Sequence, residues 1–168
     1  MDVDRLYDNV MHRFRYGGLS QKGIYVDEDV KRLAYTHHLV MGALIDSLLR
    51  QEDLQRAMAV CQKWKQEMPK ENVPYTESAL SMAHCYYLAG KSQWGDEIVS
   101  DLLRRSDEWL SWIETIRPSR RQGSLHSYYI WIQTMEHALV MAQQFHRTEL
   151  LQQYNGAFYK FSVHMNKL

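Results

Sequence analysis

The chain reads as an all-α protein of about seven helices, built of antiparallel helical hairpins stacked as degenerate tetratricopeptide-like repeats. Three observations predict this. A helical pattern occurs twice, first around Leu44, Leu48, Ala57, Cys61 and Pro69, then around Met82, Ala83, Tyr86, Gly95 and Val99. Beyond residue 26, apolar residues recur at the three- and four-residue spacing of one helix face. Gly and Pro punctuate these stretches at Pro69, Pro74, Gly90 and Pro118. The tetratricopeptide signature asks for large and small residues on a first helix, a small residue where the second helix crosses it, and a closing Pro. The second copy fits better: Ala79, Met82, Ala83 and Tyr86 precede the Gly90 stop, and Gly95 is the small crossing residue. In the first copy Ala57 is the crossing residue and Pro69 the terminator, but Ile45 fills a small-residue slot. Ala57 and Gly95 lie 38 positions apart, four more than the repeat length of about 34.

Taken in order, residues 1–26 show no helical period but hold Gly17, Gly18 and Gly23 among Phe14, Tyr16 and Tyr25. A disordered arm is poor in aromatics, so this segment is expected to be an ordered loop packing on the helices, with 27–168 a single helical-repeat domain. Asp27 or Asp29 caps the first long helix, where a carboxylate accepts orphan backbone N–H groups. Leu33, His37, Val40, Met41, Leu44 and Leu48 line its inner face. Gln51 to Asp53 is too short a link for anything but an antiparallel partner, which carries Leu54, Ala57, Met58, Cys61 and Trp64. Thr76 or Ser78 caps a third helix with Leu80, Ala83, Tyr87 and Leu88, and Trp94, Ile98 and Leu102 form its mate. Ser106 and Asp107 interrupt the pattern before a fifth helix of Trp109, Ile113 and Ile116. Ser119 to Ser124 reads as an exposed linker. The helix from Leu125 to Phe145 carries Tyr129, Ile130, Gln133, His137, Val140 and Met141 on one face and Trp131, Met135, Ala138 and Ala142 on another. Apolar on two faces, it is expected to be central or to meet a partner. A last helix from Thr148 caps the stack through Leu151, Tyr154, Phe158 and Phe161.

Composition narrows the function classes. At 168 residues the chain can bury roughly 70% of its unfolded surface. Twenty basic residues balance twenty acidic ones, so no long-range field draws nucleic acid, which is not an expected partner. Cys61 and Cys85 are no disulfide framework in a chain this long and read as buried thiols. The longest apolar run, Leu39 to Ile45, is far short of the roughly 20 residues that cross a bilayer, and the first residues carry no charged-then-apolar leader. The chain is expected to be soluble by itself.

Chemistry-bearing motifs are few. Among eight histidines none has a metal-ligand spacing, and no Gly-rich phosphate loop precedes a Lys-Ser or Lys-Thr pair. No metal or cofactor is expected. Glu136-His137 is an acid/base pair by type without an orienting third group, and Ser124 with His126 lacks the rest of a triad. Arg117, Arg120 and Arg121 carry the charge for a phosphate or lipid headgroup, though a solvated linker is the plainer reading. Tyr128 to Trp131 have the rings to stack a sugar, but helical spacing favours a core seam.

The stretches FRYGGLSQKGIYVDEDVKRLAYTHHLVMGAL and MPKENVPYTESALSMAHCYYLAGKSQWGDEI give the chain a resemblance to the C-terminal soluble region of Bacteroidetes-type multi-spanning membrane proteins. The N-terminal part of those proteins is similar to C-superfamily glycosyltransferases, relatives of protein O-mannosyltransferases. The resemblance runs from about Tyr7 to Tyr154, with Phe14 to Val26 and Met68 to Tyr75 its most specific parts. It implies that membrane spans and a transferase site lie in a portion preceding this chain, and that this domain sits on the periplasmic rather than the cytoplasmic side. It places no catalytic residue on the chain.

The leading expectation is therefore a non-catalytic interaction module that recruits a protein partner or acceptor, or stabilises assembly. In a tetratricopeptide geometry its groove would be lined by Gly42, Asp46, Arg50, Glu77, His84 and Tyr87. An alternative is a carbohydrate or lipid-headgroup binding module using Tyr16, Gly17, Gly18 and Tyr25, or Arg120 and Arg121. An independent enzyme around Glu136 and His137 is the remote third.

Overall fold

The computed structural model describes residues 2–165, apart from the side chains at 118, 119 and 121. It is all-α, with seven α-helices and no strand among the described residues. The chain divides into two compact units, Met1–Gly95 and Asp96–Leu168.

In the first unit, α1 (Val3–Asp8) begins where the Asp2 carboxylate accepts the Arg5 backbone N–H at 3.0 Å, and a π-helical turn, Asn9–Arg13, continues it. These residues show no helical period in sequence because six residues and one irregular turn are too short to display one. Helix α2 (Glu28–Arg50) takes Asp27, not Asp29, as its cap, with the Val30 N–H donating to the carboxylate at 2.8 Å. Its link to α3 (Leu54–Glu67) carries Glu52 at φ 59°, a left-handed turn position usually given to glycine, and Asp53 then caps α3 through the Arg56 N–H. A 3₁₀ turn, Glu77–Ala79, leads into α4 (Leu80–Leu88), and α5 (Ser92–Thr115) follows Gly90 at φ 70°.

The core of this unit is Met41, Leu44, Ile45 and Leu48 from α2, Ala57, Val60, Cys61 and Trp64 from α3, and Met82, Ala83, Cys85 and Tyr86 from α4. Burying each large apolar side chain here contributes about 1.5–3 kcal/mol. The inner face of α2 departs from expectation at its start. Ala34 and His38 point inward while Leu33 is exposed and His37 is half-buried beneath Phe14 and Tyr16, whose rings meet it edge-on at 5.8 and 5.1 Å.

Two glycines set the helix crossings. A Cβ on Gly95 would lie 2.7 Å from the Tyr87 ring, and one on Gly42 would lie 2.9 Å from the Ser78 carbonyl oxygen. The second neighbour is backbone and cannot swing away. Gly42→Ala is therefore expected to cost about 1–2 kcal/mol by overpacking, although alanine favours a helix by about 1 kcal/mol. Gly156, which would meet nothing within 4 Å, is the control: Gly156→Ala should stabilise. Urea midpoints of the two variants moving in the same direction would disprove the crossing argument.

In the second unit α5 runs unbroken to Thr115, then a 3₁₀ turn, Pro118–Ser124, leads to α6 (Leu125–Gln144) and α7 (Thr148–Met165). Ser106 and Asp107 do not interrupt the helix. Ser106 is fully buried on its inner side, a small polar residue among Leu102, Leu103 and Leu110. Tyr128, Ile132, Met135, Ala138, Leu139 and Ala142 form the buried face of α6, and Tyr154 and Phe161 that of α7. The Tyr128 hydroxyl donates to the Phe161 carbonyl at 3.0 Å, and Arg147 grips both Asp96 carboxylate oxygens. The α6 face of Tyr129, Ile130, Gln133, His137 and Val140 is exposed, so this helix buries one face and not two.

Candidate functional site

The expected groove residues divide between packing and surface. Gly42 and Tyr87 are buried, Gly42 beneath Ser78 and Tyr87 over Gly95, and present nothing to a partner. Both belong to helix crossings, which is why small and flat groups occupy them. Asp46 is half-buried and accepts the Ser81 hydroxyl at 2.9 Å, joining α2 to α4. Arg50 is exposed and steadied by the Ser47 hydroxyl at 2.9 Å, while Glu77 and His84 are half-buried.

A more open surface lies along α2. Leu39, Ala43, Asp46 and Arg50, spaced four, three and four residues apart, make one stripe. Beside it, a cleft of about 480 Å³ is walled by Asp2, Arg5, Leu6 and Asn9 from the N-terminal helix and by Leu39, Val40 and Ala43. Leu39 is 63% exposed and lines this cleft, so it extends one contiguous apolar surface instead of standing singly.

In the first of the two alternative ligand sites the tyrosines differ in exposure. Tyr16 is buried, its hydroxyl donates to the Val10 carbonyl at 3.1 Å, and burial followed by the nearby Glu67 charge pushes its pKa up to about 12. It anchors the N-terminal segment, whereas Tyr25 is 90% exposed. Gly17 and Gly18 hold φ of 62° and 77° in a loop fixed from below by Asn72, whose Nδ2 donates to the Leu19 and Gln21 carbonyls at 2.7 and 2.8 Å. Arg120 is exposed, and the Arg121 side chain lies outside those described.

Glu136 and His137 are exposed neighbours on α6. Cys61 and Cys85 are free, buried thiols in contact across α3 and α4, and donation to Cys85 together with burial pushes the Cys61 pKa far up. Among the described residues no three His, Cys, Asp or Glu side chains form a group that could hold a metal ion.

The second unit has an aromatic cluster that the sequence reading did not single out. Trp109 and Trp112, both on α5, meet at 89° with ring centroids 5.3 Å apart, and Trp109 stacks on Trp131 of α6 at 6.0 Å and 11°. The Arg105 guanidinium lies over the Trp131 ring, 5.2 Å from its centroid. Trp109 and Trp112 are 42% and 53% exposed, although tryptophan is a residue that folding ordinarily covers. With Glu108 they line a cleft of about 310 Å³. The available signal was the run Glu108-Trp109-Leu110-Ser111-Trp112, two tryptophans one turn apart beside an acid.

No family model, curated protein or solved structure matches the chain. Among the described residues, no helix is long and apolar enough to cross a membrane.

Proposed function

We propose that this chain is a non-catalytic helical interaction module that docks a segment of a protein partner along α2. The observation that carries this reading is the exposed Leu39 beside the apolar cleft of about 480 Å³, in a stripe that ends in the charged pair Asp46 and Arg50. An amphipathic helix reads such a surface through apolar anchors one turn apart and charges at its end. In the same reading the hairpins of α2 to α5 are tetratricopeptide-like, with Gly95 as a crossing residue. The module is the C-terminal soluble part of a membrane glycosyltransferase-like protein on the periplasmic side. The support for that context is the resemblance of the Phe14 to Val26 and Met68 to Tyr75 segments.

A photo-crosslinking amino acid placed at position 39 is expected to capture one discrete partner in native membranes, competed by excess wild-type chain but not by Leu39→Glu. The same probe at Gln62, exposed on α3, should capture nothing specific. Equal capture at both positions, or equal competition by the Glu variant, would remove the α2 stripe from the proposal.

A further inference from the structure

The corner formed by Trp109, Trp112 and Glu108 has a chemistry of its own, in the unit that does not contain the α2 stripe. We propose that this corner is a binding site for a methylated ammonium cation, a trimethylammonium group such as that of choline. The two tryptophan rings meet edge to face at 89°, so the corner beside their contact is bounded by perpendicular indole planes, and the negative face of an indole attracts a cation more strongly than any other aromatic side chain. Trp131 backs Trp109 and is itself covered by Arg105, so the cluster already holds one cation on a ring.

Charge at the rim has the matching sign. The Glu108 carboxylate is oriented by Arg104, whose Nη1 donates to Oε1 at 2.8 Å, while Arg104 Nη2 is held by Asp101 at 2.8 Å. Glu108 Oε2 has no hydrogen-bond partner among the described residues. Between residues 101 and 108, Asp101, Asp107 and Glu108 face Arg104 and Arg105, which leaves one net negative charge.

The same lining argues against other occupants. A neutral sugar gains from the Glu108 carboxylate only what a hydrogen bond gives, whereas a cation gains from the carboxylate and the indole faces together. An anion would meet the carboxylate. A quaternary ammonium needs no hydrogen bond, only π faces and a negative neighbour.

The test is a titration of the whole chain with choline chloride, read on the indole N–H resonances by NMR. Saturable shifts at Trp109 and Trp112 are expected, with binding about tenfold weaker for dimethylbutanol, the neutral carbon isostere of choline. Trp112→Ala should abolish the response and Glu108→Gln should weaken it several-fold. Both sites are surface positions, and unchanged circular dichroism would show that the variants fold. Co-sedimentation with phosphatidylcholine vesicles, lost in Trp112→Ala, would name a lipid headgroup as the source; choline binding without vesicle binding would name a free solute. Equal binding of the isostere, or no saturable shift up to about 50 mM choline, overturns the proposal. Neither result bears on the α2 stripe.

Discussion

Trp64→Ala is expected to cost about 3–5 kcal/mol, a large share of the roughly 5–15 kcal/mol that holds an ordinary domain together. Trp64 is fully buried on α3, and its ring lies 4.6 Å from that of His38. Truncation leaves a cavity bounded by two helices that cannot both move in, because Gly42 already brings α2 to contact distance of Ser78. Trp64→Phe should be milder, at about 1–2 kcal/mol. It keeps most of the packing and removes an indole N–H that has no hydrogen-bond partner among the described residues. Urea unfolding of the three proteins decides the matter. An alanine midpoint equal to wild type would mean that Trp64 is not the centre of this core.

The second large effect is on pH. His38 is fully buried, and burial, reinforced by the neighbouring His37, lowers its pKa from 6.5 to about 4. Its Nδ1 lies 3.5 Å from the Thr76 hydroxyl, and Nε2 has no partner among the described residues, so nothing compensates a charge there. The unfolded chain takes up a proton as pH falls through 6.5, while the folded chain refuses it until about pH 4. Stability therefore falls with pH across that window, by about 3 kcal/mol at its lower end. Burial lowers the His37 pKa as well, a contribution of the same sign. Urea midpoints measured between pH 7 and pH 4.5 should show the decline, and His38→Phe, which keeps a ring against Trp64, should flatten it. A variant as acid-sensitive as wild type would place the titration elsewhere in the same window, for instance at His37, whose pKa is also lowered by burial.

The fold was legible where period and punctuation agreed. The α2–α3 link, the Gly90 stop and the Gly95 crossing follow from local rules, because each depends on residues a few positions apart. Continuity of α5 was not legible. Ser106 is polar in a stretch where the helical period asks for an apolar residue, and only the tertiary context, a buried position that admits a small side chain, explains it. The register of α2 departs from the apolar pattern at its start: Leu33 is the more apolar residue, yet Ala34 is buried and Leu33 is exposed, while the Phe14 and Tyr16 rings cover His37. For the candidate sites, the charged end of the α2 stripe, Asp46 and Arg50, could be read from helix geometry. Its exposed anchor Leu39 could not, since exposure of a leucine depends on which neighbouring helices cover it. The tryptophan corner was hidden similarly: Trp109 fits the period of a core residue, and its partial exposure, with one contact to Trp131 of α6, depends on tertiary placement.

Asn72 has a consequence for the order of events during synthesis. Its amide closes contacts to carbonyls 53 and 51 residues earlier, at Leu19 and Gln21, and Arg56 reaches back 52 residues to Asp4. At about 5–20 residues per second, the glycine-bearing segment leaves the ribosome some 3–10 s before Asn72 does. The α2–α3 hairpin, whose contacts are local, is complete earlier. The part of this unit that is made first therefore docks only after the α2–α3 hairpin, and during that interval its aromatic rings are open to chaperones and proteases.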